Sequence, residues 1–177
     1  MLSKRWVLWL VLLLAGGGIG AGAVIVGVEA NRATSTDAFC SSCHSMATLA
    51  REPHFLRAAH RANRAGVRAS CSDCHIPKTN WFVETYVHAA SAVRDVIAEN
   101  THDYSDPKIW AARRVALAQE VRAIMRAQDS ITCRHCHNAA AIQPTSEGGR
   151  TAHALPRQGG ATCIDCHVNL VHAPPQP

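Results

Sequence analysis

Cys40-Ser41-Ser42-Cys43-His44, Cys71-Ser72-Asp73-Cys74-His75, Cys133-Arg134-His135-Cys136-His137 and Cys163-Ile164-Asp165-Cys166-His167 are four copies of one pattern, Cys-x-x-Cys-His. Together they use all 8 cysteines of the 177-residue chain. Two thiols at this spacing bond covalently to the two vinyl groups of one porphyrin, and the adjacent His is placed to ligate the iron from one face. Disulfides would suit the cysteines but require no His after every second one. Zinc ribbons use Cys-x-x-Cys pairs with the same indifference to a following His. A thioredoxin-like redox motif would occur once inside a βαβ pattern, not four times. The pattern therefore predicts four covalently attached haem c groups. Their cysteines are Cys40 and Cys43, Cys71 and Cys74, Cys133 and Cys136, and Cys163 and Cys166, and His44, His75, His137 and His167 stand beside the iron atoms.

Composition agrees with an interior filled by something other than side chains. Apolar residues make up 47% of the chain, but aromatic residues only 5%. The first 28 residues hold much of the apolar share and carry two charges, Lys4 and Arg5. The remainder is rich in Ala, Arg and His, with little bulky material for a core. Disorder is disfavoured, because Leu, Ile and Val recur at helical spacing and charged residues are 18%. Eight cysteines in so short a chain also disfavour a reducing compartment. The formal charge of +5 is offset by haem propionates, which the arginines are expected to face. No basic stripe with interleaved aromatics points to nucleic acid.

From Trp6 to Val28 the chain runs 23 residues without a charge. As a helix this covers the ~30 Å hydrocarbon layer of a bilayer. It is too long for a typical signal-peptide apolar region of about 7–15 residues. Lys4 and Arg5 before it keep the N-terminus cytoplasmic by the positive-inside rule, which exports everything after residue 28. The expected division is a cytoplasmic tip and transmembrane anchor over 1–30 and an exported haem domain over 31–177. Gly16 and Gly20, like Gly18 and Gly22, have the GxxxG spacing that lets two anchors pack into a homo- or hetero-oligomer.

The motifs fall into two pairs. Cys40 and Cys71 are 31 residues apart, and Cys133 and Cys163 are 30 apart. Within each pair a lone His precedes the second motif: His60 lies 11 residues before Cys71, and His153 lies 10 before Cys163. This reads as a duplicated di-haem module, spanning about 37–76 and 130–172. His60 and His153 are then sixth ligands to haem iron, and His172, five residues past His167, is a third. Spacing leaves open which of these serves which iron. His54, His102 and His135 have no such parallel.

Between the modules two helices are expected. One starts at Trp81 and carries Phe82, Tyr86, Val93 and Ile97 at three- and four-residue steps towards Glu99. The other starts at Asp106-Pro107, a capping carboxylate followed by Pro in the first turn, and runs to about Ala127. Nothing resembles a strand pair. The expected fold is mostly α with long haem-binding loops: a single N-terminal transmembrane helix followed by a multihaem cytochrome c domain of two di-haem modules.

The first motif alone continues as Cys-x-x-Cys-His-x-Met, through Ser45 to Met46. A spare Met is usually packing, but its thioether is also a soft iron ligand that raises a haem potential. This motif, the single anchor and the paired Cys-x-x-Cys-His sites resemble the NapC/NirT family of membrane-anchored tetrahaem cytochromes c, which includes NrfH-type quinol dehydrogenase subunits. Further stretches carry the resemblance: His60-Arg61-Ala62-Asn63-Arg64-Ala65-Gly66-Val67-Arg68-Ala69-Ser70, His75-Ile76-Pro77, Thr162-Cys163-Ile164-Asp165-Cys166-His167 and His172.

The resemblance implies that Met46 ligates the first haem, leaving His44 off the iron, and that His60, His153 and His172 are distal ligands to the other three. It implies a carboxylate near the first haem on the helix after the second motif, with a Lys six or seven residues before it at a quinol pocket. Asp95 takes the first position, and His88, seven residues earlier on the same face, stands near the second. Position 87 is Val, and Lys78 lies further upstream. The implied function is quinol dehydrogenation at the bacterial inner membrane. Electrons pass from the membrane quinol pool to a periplasmic reductase or soluble cytochrome, in anaerobic respiration of the nitrate or nitrite type. Alternatives are an electron-transfer module docked to an oxidoreductase complex, a quinone reductase fed by periplasmic hydroxylamine-type oxidation, and a terminal reductase. The absence of a Cys-x-x-Cys-Lys motif counts against a pentahaem nitrite reductase.

Overall fold

The computed structural model describes residues 3–154 and 160–175 of the chain, so the outermost residues of the expected domain bounds lie outside it. The N-terminal apolar run forms helix α1 over Lys4–Thr34, 31 residues and so about 46 Å long. No residue along it is buried by the rest of the chain, as a helix solvated by lipid requires. It outruns the uncharged stretch by two turns, where Arg32 pairs with Glu29 at 3.0 Å.

Short helices follow. α2 (Asp37–Cys40) starts at Thr36, whose hydroxyl accepts from the Phe39 N–H. α3 (His44–Arg51) and α4 (Pro53–Arg57) come next, the second opened by Pro53 at its first turn. α5 (Cys71–His75), α8 (Ile131–Cys136) and α10 (Cys163–Cys166) each carry one motif. α9 covers Glu147–Ala154, and a 3-10 turn covers Ala139–Ala141.

The two expected inter-module helices are present. α6 spans Trp81–Thr101, capped by Asn80, whose side chain accepts from the Val83 N–H. α7 spans Pro107–Ala127, and the Asp106 carboxylate accepts from the Lys108 N–H. Among the described residues there is no strand.

The chain by itself has almost no apolar core. Among the described residues, Phe55, Ala58 and Ile76 are the buried hydrophobic ones, with Pro77 beside them. The other buried positions are small hydroxyl residues next to motif residues: Ser45, Ser72, Ser130, Thr132 and Thr162. A domain of this length ordinarily hides well over half its surface around apolar side chains. Ionic joints take part of that role. Arg114 grips both carboxylate oxygens of Glu52 at 2.6 and 3.0 Å and donates to the Ala173 carbonyl, which ties α7, α4 and the C-terminal segment together. Arg126 holds Asp165, joining α7 to α10, and Arg94 holds Glu120 at 2.7 Å, joining α6 to α7. These three arginines face protein carboxylates.

Candidate functional site

Motifs two and four are held by the same local device. In α5, Ser70 and Asp73 form a capping box, the Asp73 carboxylate accepting from the Ser70 N–H at 2.7 Å. In α10, Thr162 and Asp165 repeat it at 2.7 Å. A single turn of helix then places both cysteines and turns the His outward at its end. Motif three uses a different start: Ser130 is left-handed (φ 52°) and fully buried, and its hydroxyl accepts from the Ile164 N–H at 3.2 Å. That bond seats motif three against motif four. α5 packs on α8, so motifs two, three and four form a continuous row.

Each motif His of that row faces one of the three lone histidines. His75 lies 6.2 Å from His172, His137 lies 5.9 Å from His60, and His167 lies 5.9 Å from His153, measured between ring centroids. Metal–imidazole bonds of about 2 Å put two rings that bind one metal from opposite sides roughly 6 Å apart. The three pairs therefore fit haem iron. His60 stands in the first module and His137 in the second, so this pair crosses between them.

Local contacts orient the lone rings. His153 Nδ1 lies 2.8 Å from the Gly149 carbonyl, which requires a proton on Nδ1 and leaves Nε2 for a metal. His172 stacks on Phe55 with centroids 5.5 Å apart, and burial together with the nearby His75 pushes its pKa down to about 4, keeping the ring neutral. Burial raises the thiols of Cys40, Cys74 and Cys133, and Cys71, buried and beside Asp37, is pushed up to about 12. Thiolate-based redox or zinc chemistry needs the opposite shift. A cleft of about 410 Å³ opens beside Cys136 and His137.

The first motif is built differently. Its helix ends at Cys40, and a new helix begins at His44, so the motif straddles a break. His44 is exposed and, among the described residues, faces no other ring, whereas Met46 is half-buried. Cys43, at the N-cap of α3, gives no side-chain cap. The cap comes from α6: one Glu99 carboxylate oxygen accepts from the Ser45 N–H at 3.3 Å and from the Ser45 hydroxyl. A carboxylate at a helix N-terminus satisfies orphan N–H groups and matches the helix dipole. Sequence reasoning missed Glu99, although it lies one helical turn beyond Asp95. Asp37 links the first motif to the second, accepting from the Cys71 N–H at 2.9 Å and pairing with Arg61 at 2.7 Å.

His88, Asp95 and Glu99 share one face of α6 with Trp81, Thr85 and Ala92. Trp81 packs its ring against Gly27 of α1, where an added Cβ would lie 3.3 Å from Cζ2. His88 Nδ1 lies 2.7 Å from Asn31 Oδ1 and 3.4 Å from the Ser35 hydroxyl. Because the amide oxygen can only accept, Nδ1 carries the proton and Nε2 is a free acceptor. Burial holds the Asp95 carboxyl above the usual carboxylate range, against the pull of Arg94 3.7 Å away. Lys78 is paired with Glu84 at 2.7 Å.

Comparison with known proteins gives consistent matches. The family profile "NapC/NirT cytochrome c family, N-terminal region" matches residues 2–177. A "Probable tetraheme cytochrome c-type" protein of Nitrosomonas europaea is 40% identical over 88% of this chain and 64% of its own length. The "Denitrification system component NirT" of Stutzerimonas stutzeri is 34% identical over 98% of this chain and 86% of its own. The "Cytochrome c-type protein TorY" of Haemophilus influenzae is 39% identical over 90% of this chain. The chain spans less than half of TorY, 43% of its length. No solved structure matches the chain.

Proposed function

The chain belongs to the NapC/NirT cytochrome c family, and from that premise we propose that it oxidises quinol at the inner membrane and hands electrons to a periplasmic partner. The observation that carries this reading is the face of α6. It runs from the membrane helix at Gly27, past His88 and Asp95, to the first motif at Ser45. Two proton acceptors thus stand between the span that meets the quinone pool and the haem site nearest to it.

In this reading residues 1–30 anchor the protein with its N-terminus in the cytoplasm, and residues 31–177 form the periplasmic haem domain, with modules at about 37–76 and 130–172. Cys40 and Cys43, Cys71 and Cys74, Cys133 and Cys136, and Cys163 and Cys166 hold one haem each. His75 with His172, His137 with His60, and His167 with His153 are the axial pairs, while Met46 rather than His44 serves the first haem. When bound, haem supplies one-electron redox chemistry.

The chain's own residues handle the protons. Oxidation of a quinol releases two electrons and two protons, so its hydroxyls need acceptors. Asn31 fixes the His88 ring so that Nε2 takes the proton of one hydroxyl. The Asp95 carboxylate, its proton affinity raised by burial, takes a proton from the other. The His60–His137 pair, drawn from both modules, would hold one haem and so interlock the two modules.

The test is reduction of the purified, fully haem-loaded protein in detergent by a menaquinol or ubiquinol analogue, followed by haem absorption. Reduction at a turnover-relevant rate is expected, with Asp95→Asn slowing it. A protein that dithionite reduces but neither quinol does is not a quinol dehydrogenase.

A further inference from the structure

We propose that the first two turns of α6, carrying Phe82 and Tyr86, are embedded in the headgroup–hydrocarbon boundary of the bilayer as a second membrane contact beside α1. The inference rests on α1 spanning the membrane and is independent of the quinol reading.

Two contacts fix the level. Trp81 meets α1 at Gly27, and His88, seven residues on, meets it at Asn31 and Ser35. Both helices advance about 1.5 Å per residue, so over this stretch they run side by side in the same direction. Phe82 and Tyr86 therefore stand level with Gly27 to Asn31. The uncharged run of α1 ends at Val28, which makes this level the edge of the hydrocarbon layer. Phe, Trp and Tyr at that depth have their favoured membrane environment. Gly27 is what permits the approach, since a side chain there would press on the Trp81 ring.

The facing direction agrees. At 3.6 residues per turn, Trp81, Thr85, His88, Ala92, Asp95 and Glu99 form one stripe, committed to α1 and α3. Phe82 and Tyr86 are rotated about 100–140° from it, away from the Ser45 contact and the first motif. They are 76% and 74% exposed, although both are large rings. The charged side chains nearest in sequence do not oppose burial in lipid, because Lys78 and Glu84 neutralise each other at 2.7 Å and are themselves largely covered. Continuity with the membrane helix thus favours lipid as the occupant over a second protein.

The experiment uses the full-length holoprotein in nanodiscs containing a phospholipid with a diazirine near the top of one acyl chain. After illumination and proteolysis, mass spectrometry maps the lipid adducts. Adducts are expected on the peptide containing Phe82 and Tyr86 as well as on α1. The double variant Phe82→Ser, Tyr86→Ser should lower the first several-fold, leaving the α1 adducts and the haem spectrum unchanged. Adducts confined to α1 would overturn the proposal. So would adducts on that peptide that persist undiminished in the variant, or protein–protein cross-links from this face that replace the lipid ones.

Discussion

Asp95 and Glu99 stand one turn apart on α6 and do different work. Burial makes the Asp95 carboxylate a stronger base than an exposed one. Because its folded pKa is raised, the charged form is disfavoured in the fold above the ordinary carboxylate pKa, so Asp95→Asn should stabilise the protein slightly at neutral pH. In the proposed reaction the deprotonated form is the active one. Initial rates of haem reduction by quinol should therefore fall as pH drops through the raised value. Asp95→Asn should remove that limb and lower the rate by roughly a hundredfold. Glu99 is a positioning residue. Glu99→Ala leaves α3 uncapped and should cost about 1 kcal/mol in denaturant unfolding, with a mixed spectrum at the first haem as Met46 loses its fixed approach. Glu99→Gln keeps an acceptor oxygen for both Ser45 hydrogen bonds and should restore most of the signal. Asp95 was legible in the sequence through the family pattern. Glu99 was not, since a cap supplied from another helix leaves no local spacing to read.

At the scale of elements, the motifs were legible because two cysteines and a His lie within five residues; their short helices were not, since the sequence suggested loops there, and only motifs two and four carry a capping box beside them. The start of α6 at Trp81 followed from apolar periodicity, its end falling two residues beyond the expected Glu99, and α7 followed from Asp106-Pro107 and apolar periodicity. The partners of the lone histidines were not legible. Sequence spacing put His60 beside the second motif, yet its ring lies 5.9 Å from His137 of the third. Tertiary packing of α5 on α8 makes that exchange. If the two rings share one iron, His60→Ala and His137→Ala should each perturb one and the same haem. The double variant should then show a single altered haem by electron paramagnetic resonance, whereas His60→Ala with His75→Ala should show two.

At the scale of the molecule, the three buried hydrophobic residues among those described are far fewer than the ordering of such a chain requires. Chain expressed without the haem-attachment machinery should keep α1 helical in detergent. It should lose most other far-ultraviolet helical signal and be cleaved rapidly by protease after Ser35. Retention of native-like protection would mean that side chains alone sustain the fold. Acid should also loosen the loaded protein. Burial alone would raise the Asp37 carboxyl, but hydrogen bonds from Arg61 and Cys71 outweigh it and hold it below its usual value. The α2–α5 joint is thus at full strength above about pH 4 and weakens as pH falls through that lower value. The sequence by itself determined the cofactor type and number, the membrane helix and the family, because covalent attachment and a bilayer span both impose spacing along a contiguous stretch. Only the tertiary structure decided which histidines face each other, where Glu99 acts and how α6 lies along α1. Those depend on residues 14 to 97 positions apart that meet through packing, which no local pattern encodes.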